Sequence, residues 1–266
     1  MKLKTTFKIS PNIFKKSVLK KSVLFAIMTL IIFTLSITCE CKLTVAESIA
    51  GSLNPTQAKR DDGSVEKIIY LTFDDGPSYK VTDKLLAIIK EKDVKATFFV
   101  VGQEIKGRED ILKRIAESGN AIGLHTYSHN YKKIYKNNDA FLDEINRTRE
   151  LVRDITGVDS TIIRFPWGSR NHLNKELLKS LHENDYKIYD WTTSIEDGVN
   201  PKMSPYNLYR RSISEKDTVI LLMHCNYNNK NTCVALSDII DYYKKQNYEF
   251  RCITPDTPEL YFTIKK

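Results

Sequence analysis

The sequence predicts an α/β fold built on a parallel sheet or barrel. Three observations carry this. Seven short apolar runs, rich in β-branched and aromatic residues, recur between residues 68 and 253. Segments with helical spacing lie between them, which is the alternation of parallel α/β folds. The runs are apolar throughout, as strands buried on both faces are. At 266 residues, with 41% hydrophobic and 28% charged residues, the chain has room for one large α/β domain or two small ones.

The N-terminus is a separate matter. Seven lysines and no acid lie in residues 1–22, so of the net charge of +8 only +1 remains for the rest. A near-neutral body argues against a nucleic-acid partner. Val23–Cys39 is a run of seventeen uncharged residues, close to the lower limit for crossing a bilayer. With the lysines ahead of it, the positive-inside rule puts the N-terminus in the cytoplasm and the body outside. Residues 1–22 then read as a basic cytoplasmic tail or signal n-region. Residues 23–39 read as a transmembrane signal anchor or, with a cut near Ala46, a cleaved signal peptide. Residues 40–66 read as a polar linker. The folded domain is expected over 67–254, with 255–266 a C-terminal tail. The protein is expected at the cell membrane with its domain extracellular, or secreted.

The strand runs are Ile68–Phe73, Ala96–Val101, Ala121–Leu124, Thr161–Phe165, Tyr186–Trp191, Thr218–Met223 and Tyr248–Ile253. Helical spacing appears at Leu85, Leu86 and Ile89, at Ile111, Leu112 and Ile115, and at Phe141, Ile145 and Val152. It returns at Leu177, Leu178 and Leu181, and at Leu236, Ile239 and Ile240. No glycine-rich turn follows the first strand, which disfavours a dinucleotide fold. Five cysteines make no disulfide framework, although an external location would permit a Cys225–Cys233 bridge.

In a parallel barrel, chemistry collects at the carboxyl ends of the strands. The reactive residues gather there. The first run ends at Asp74 and Asp75 and turns through Gly76-Pro77. Adjacent acids repel and call for a cation; if one ligates it, the other is free to act as a base. The third run leads to His125 and His129, a spacing that places both rings on one face of a helical turn. The fourth leads to Arg164, the fifth through Asp190 to Asp197, the sixth to His224. His172 and His182 fall elsewhere and read as solvent-facing. Two imidazoles and a carboxylate are a common ligand set for catalytic zinc, with a position left for water. Cobalt, nickel or iron could take the same ligands.

The motifs Thr72-Phe73-Asp74-Asp75-Gly76-Pro77, His125-x-x-Ser128-His129, Arg164-Phe165-Pro166-Trp167-Gly168, Asp197 after Trp191, and Leu221-Leu222-Met223-His224 occur in that order. Together they resemble the polysaccharide deacetylases of the NodB-homology type, carbohydrate esterase family 4, over residues 67 to 254. The resemblance implies a distorted (β/α) barrel with fewer than eight repeats. It implies that Asp74 is a general base, that Asp75, His125 and His129 are metal ligands, and that His224 is a general acid. Arg164 and Asp197 would form a charged pair orienting these groups. The Trp167 backbone N–H would serve as oxyanion donor, and Leu222 would shape the pocket for the acetyl methyl. Three positions depart from the family pattern. Trp167 stands where tyrosine is frequent, Gly198 where many members have tryptophan, and Cys225 where many have aspartate. Gly198 is expected to open the substrate groove.

The function this implies is metal-dependent removal of acetyl from N-acetylated sugars of an extracellular polysaccharide, with peptidoglycan N-acetylglucosamine the first expectation. An O-acetyl esterase on xylan or wall glycan would use the same centre. A catalytically silent, membrane-tethered glycan-binding module is the reading from a different class.

Overall fold

The computed structural model describes residues 65–264. The expectations for the basic segment, the apolar stretch and most of the linker lie outside those residues. Among the described residues, no helix is long and apolar enough to cross a membrane.

Strand β1 (Ile68–Gly76) is the centre of the sheet, paired with β2 (Thr97–Val100) on one side and β7 (Thr218–His224) on the other. Beyond β2 come β3 (Ala121–Leu124), β4 (Ile162–Ile163) and β5 (Lys187–Ile188); beyond β7 comes β6 (Thr193–Ser194). All these pairings are parallel. The last strand, β8 (Glu249–Phe250), pairs with the first residues of β1. The seven expected runs all supply strands. The eighth, β6, is two residues in the polar stretch Thr192-Thr193-Ser194, where no apolar run announces it.

The sheet order also explains why the sheet curls. Its two edge strands, β5 and β6, are separated in the chain by only Tyr189–Thr192. Such a connection spans at most about 18 Å. The edges must therefore approach each other across an incomplete, distorted barrel. Leu260 forms a parallel bridge to Tyr189, and Phe262 N–H donates to Asp190 Oδ2 at 2.8 Å. Residues 255–264, set apart by sequence as a tail, thus pack beside β5.

Five amphipathic helices stand where the spacing puts them: α1 (Val81–Glu91), α3 (Glu109–Glu117), α5 (Asn138–Thr156), α6 (Lys175–Glu183) and α8 (Lys230–Lys245). Leu85, Ile89, Leu112, Ile145, Leu177 and Leu236 bury their side chains in one core with Leu71, Phe73, Leu221 and Met223 of the strands. Two single turns, α2 (Gly102–Ile105) and α4 (Tyr131–Ile134), and the helix α7 (Pro205–Ser212) were not expected. The start of α7 is legible in retrospect. Ser204 accepts from Asn207 N–H as N-cap, and Pro205 sits in the first turn.

Strand side chains alternate between two faces. Leu71, Phe73, Leu221 and Met223 face the helices. Tyr70, Phe99, Ile162, Tyr189, Ile220 and Ile253 form a second, smaller cluster. By the same alternation Thr72, Asp74, Leu222 and His224 follow Tyr70 and Ile220 up the interior of the barrel. Arg164 follows Ile162. The interior is apolar at its base and charged at its mouth.

Candidate active site

Asp74 and Asp75 are neighbours in sequence, and strict alternation would send them to opposite faces. The β1–β2 register shifts between them: Asp74 is opposite Phe99 and Gly76 opposite Val100. Asp75 is the extra residue, at φ 69°. A bulge of this kind re-aims a side chain beside a site. Here it brings both carboxylates to the barrel mouth, where they take different partners.

Asp74 is buried. Its Oδ1 accepts from Arg164 Nη1 at 2.8 Å, and its Oδ2 lies 3.7 Å from His125 Nε2. Arg164 is fully buried at 0% exposure. Its guanidinium also donates to Thr72 Oγ1 at 2.7 Å, to the Tyr189 carbonyl at 2.7 Å and to the Asp190 carbonyl at 3.1 Å. It lies 4.1 Å over the Phe99 ring. A buried guanidinium is tolerable only when paired and hydrogen-bonded in this way.

Asp75 is the acid of the second group. Its Oδ1 lies 3.6 Å from His125 Nε2 and 3.3 Å from His129 Nε2, and Asn226 Nδ2 donates to its Oδ2 at 3.2 Å. Ligand atoms of Asp75, His125 and His129 all fall within 4.8 Å of one another. The donor set fits a cation. His125 Nδ1 lies 2.8 Å from the Arg164 carbonyl, which can only accept, so Nδ1 carries the proton and Nε2 presents its lone pair. Burial, helped by the neighbouring His129, keeps the His125 imidazole below its ordinary pKa despite the two acids, hence neutral. Burial alone would raise Asp75, but the three imidazoles of His125, His224 and His129 hold it below its ordinary value.

His125 and His129 do not share a helical turn. Residues 125–130 form an irregular loop, with Thr126 at φ 64° and His129 at φ 48°. The loop is held by Glu144 of α5, whose carboxylate accepts from Tyr127 N–H at 2.9 Å, Ser128 N–H at 2.6 Å and Ser128 Oγ at 2.9 Å. Backbone bonds satisfied from a distant helix remove the need for local helix. Sequence reasoning missed Glu144, because nothing at position 144 distinguishes it from an exposed helix acid.

The expected Arg164–Asp197 pair does not form. Arg164 serves Asp74, and Asp197 serves His224. Asp197 Oδ1 is 2.8 Å from His224 Nδ1, while its Oδ2 accepts from His224 N–H at 2.9 Å and Thr232 Oγ1 at 2.7 Å. Each carboxylate needs one strong donor nearby, and the barrel supplies a different one to each. Burial disfavours the charged imidazole, yet the Asp197 bond and the charges of Asp197, Asp74 and Asp75 outweigh it and push His224 up to about 9. Thr232 is a second residue that sequence reasoning missed. It lies on α8, 35 residues along the chain from the Asp197 carboxylate it bonds.

Trp167 lies beside the cluster, its ring 4.7 Å from that of His129, with its backbone at φ 61°. Among the described residues its N–H has no hydrogen-bond acceptor. Leu222 is buried in β7 between Thr72 and Ser194 in register, one inward step below His224. Cys225 and Cys233 are free thiols, both buried, so no bridge joins them. Cys225 instead donates to the Asp74 carbonyl through both N–H (2.9 Å) and Sγ (3.3 Å). Gly198 is exposed, but a Cβ there would come within 2.5 Å of the His224 ring. The imidazole itself fills the space above this glycine. His182 is exposed and pairs with Glu259 at 3.0 Å. His172 is not solvent-facing as expected: it is half-buried and stacked on Tyr135 with ring centroids 3.7 Å apart.

A buried carboxylate held by arginine, a carboxylate with two imidazoles, and a histidine charged by its own aspartate meet at the mouth of an incomplete parallel barrel. That is the equipment of a hydrolase that needs a base, a cation and an acid. Comparison with known proteins narrows the class. The family model for polysaccharide deacetylase matches residues 61–189. A peptidoglycan-N-acetylglucosamine deacetylase of Bacillus cereus is 34% identical over 205 residues, covering 74% of this chain and 73% of that protein. The crystal structure of a polysaccharide deacetylase from Bacillus cereus superposes with a TM-score of 0.68 at 32% identity, over 73% of this chain and 95% of the other. The catalytic domain of a peptidoglycan N-acetylglucosamine deacetylase from Eubacterium rectale gives 0.70 at 28% identity, over 83% and 99%. The chain belongs to the polysaccharide deacetylase family, carbohydrate esterase family 4, whose members are hydrolases acting on carbon–nitrogen bonds other than peptide bonds.

Proposed function

We propose that this protein removes the N-acetyl group from N-acetylglucosamine of peptidoglycan, with zinc as its cation. One observation carries the reading: two adjacent carboxylates are split between partners, Asp74 to Arg164 and Asp75 to the imidazole pair. One acid is thereby left as a base beside a cation that the other helps to hold. The names of the relatives supply the sugar.

Asp75, His125 and His129 would hold the ion, which supplies Lewis acidity toward the acetamide carbonyl and lowers the pKa of water. Asp74, with Oδ1 fixed by Arg164, accepts at Oδ2 the proton of the attacking water. The Trp167 N–H donates to the developing oxyanion, a preorganised contact of the kind that dominates such reactions. Leu222 walls the site against the acetyl methyl. His224, its Nδ1 held by Asp197, gives its Nε2 proton to the departing amine. Base and acid thus hold opposite protonation states at one pH. The basic segment and apolar stretch would keep the domain at the outer face of the membrane, or direct its secretion, where wall glycan is met.

Acetate release from purified peptidoglycan, with and without chelator, tests the reading. Chelator-sensitive release that Asp74→Asn abolishes is the expected result. No release from any N-acetylated glycan would sink it.

A further inference from the structure

Trp167 is the third residue of a β-turn. Gly168 N–H donates to the Phe165 carbonyl at 2.9 Å, Pro166 takes the second position, and Trp167 stands at φ 61°. Proline followed by a positive φ is the type II form, which favours glycine in the third position. A bulky residue there is strained, because its Cβ crowds the carbonyl before it. Rotating the central peptide, the Pro166 C=O with the Trp167 N–H, gives the type I form. That form has a negative φ in the third position and no such crowding. The peptide is planar and trans, so the rotation reverses its carbonyl and its N–H together.

The ends of this turn are fixed, which leaves the rotation as its main freedom. Ahead of it, Arg164 is wholly buried and its N–H donates to the Leu124 carbonyl at 3.0 Å. Behind it, Ser169 donates to the buried Asp190 through its N–H, at 3.0 Å to Oδ1, and through its hydroxyl to Oδ2. One group holds the central peptide itself. Tyr135, at the end of α4, donates from its hydroxyl to the Pro166 carbonyl at 2.7 Å. Among the described residues this carbonyl accepts no other hydrogen bond. The Tyr135 ring lies nearly parallel to His172, with centroids 3.7 Å apart, and to Phe141, at 6.0 Å, so its hydroxyl is firmly aimed. Burial, with the charge of Asp190 nearby, pushes the phenol above its ordinary pKa and keeps it a donor.

We propose that Tyr135 is a positioning residue: by holding the Pro166 carbonyl, its hydroxyl keeps the Trp167 N–H turned toward the developing oxyanion. The oxyanion rests on the deacetylase reading. The hold on the peptide does not, since it exists with or without substrate. Tyr135 touches no reacting atom and acts only through the peptide it pins.

Tyr135→Phe removes the hydroxyl and keeps the ring stacks. Losing one hydrogen bond should shift the peptide toward the type I form and lower kcat on N-acetylated peptidoglycan about tenfold. That falls short of the roughly 100-fold or more of losing an oxyanion donor outright. KM and the zinc dissociation constant should stay within about twofold of wild type, because neither depends on a contact made only in the transition state. The peptide is read directly by the NOE between Pro166 Hα and the Trp167 amide proton, strong in type II and weak in type I. It should weaken in the variant. Trp167→Gly supplies a rescue: glycine is at ease in type II, so in that background Tyr135→Phe should cost no more than about twofold in kcat. A Tyr135→Phe protein with wild-type kcat, or with an unchanged NOE, overturns the proposal. So does a loss of about tenfold that persists beside Trp167→Gly. If wild type releases acetate from no N-acetylated glycan, the deacetylase reading itself has failed. The NOE then decides the hold on the peptide alone: weakening in Tyr135→Phe supports it, and an unchanged NOE overturns that too.

Discussion

Arg164 Nη1 and Asp74 Oδ1 meet at 2.8 Å in a place neither can leave, since the arginine is wholly buried and tied to three further oxygens. The pair does two things at once. It fixes the orientation of the acid that faces the cation cluster, and it neutralises a charge that the barrel interior could not otherwise hold. Removing one member leaves the other uncompensated. Arg164→Leu is expected to lower stability by about 3–5 kcal/mol. Asp74→Asn in that background should recover part of the loss, because the stranded carboxylate is gone. Chemical denaturation of the four proteins checks this, and a double variant no more stable than Arg164→Leu would contradict the pairing.

The Asp197–His224 pair sets a pH dependence of definite sign. An unperturbed imidazole titrates near 6.5, and here it is pushed up to about 9. A raised folded-state pKa contributes stability that is fully present below the unfolded value and lost as pH rises through the folded one. Metal-free protein should therefore lose stability between pH 6.5 and about 9 by this route. The His224 ring resonances should titrate near the upper end of that window. In Asp197→Asn the titration should move down, and the alkaline limb of deacetylation should follow it. A His224 titration unmoved in Asp197→Asn would remove the basis for its role as acid.

Asn226 bonds one oxygen of Asp75 and leaves the other, Oδ1, toward His125 and His129. The amide thus decides which oxygen a cation meets. Partners that orient metal ligands are typically worth 10–100-fold in affinity, so Asn226→Ala should weaken zinc binding by about that factor. Calorimetric titration of the apoprotein reads this without reference to turnover. An unchanged dissociation constant would mean that the backbone bulge alone aims Asp75.

Much of this was legible in the residues, and the failures have physical causes. The seven runs placed seven strands, because strands buried on both faces leave an unbroken apolar signature. β6 left none: two residues of Thr-Ser join the sheet through backbone bonds, and composition does not report those. The site residues converged as the strand ends implied. What could not be read was who pairs with whom. Arg164 and Asp197 are each the right kind of residue for an ion pair, but direction along the barrel decides the partner, and that depends on alternation within strands only two residues long. The bulge at Asp75 was hidden for the same reason, since local register is a property of two strands and not of one. Glu144 and Thr232 act from helices distant in sequence, with no local mark of the bonds they make. His172 looked solvent-facing because the ring beneath it, Tyr135, lies far off in the chain.

Gly198 is the departure with the sharpest consequence. A Cβ there would fall 2.5 Å from Cε1, 2.7 Å from Nε2 and 2.9 Å from Nδ1 of His224. These are distances side-chain carbons do not reach, so alanine would have to displace the ring or shift the backbone beneath it. The glycine is exposed, so little core packing is at stake. Displacing the ring would stretch the 2.8 Å bond to Asp197 and move Nε2 from the leaving amine. Misplacement of a reacting group by an ångström can cost about 100-fold. Gly198→Ala is therefore expected to lower kcat by roughly that factor while leaving KM and the unfolding midpoint near wild type. The same displacement should lower the His224 pKa, by weakening the aspartate contact that raises it. Steady-state kinetics with an NMR titration of His224 checks both. A fully active Gly198→Ala enzyme with an unshifted His224 would show that the loop yields and the imidazole does not depend on this glycine.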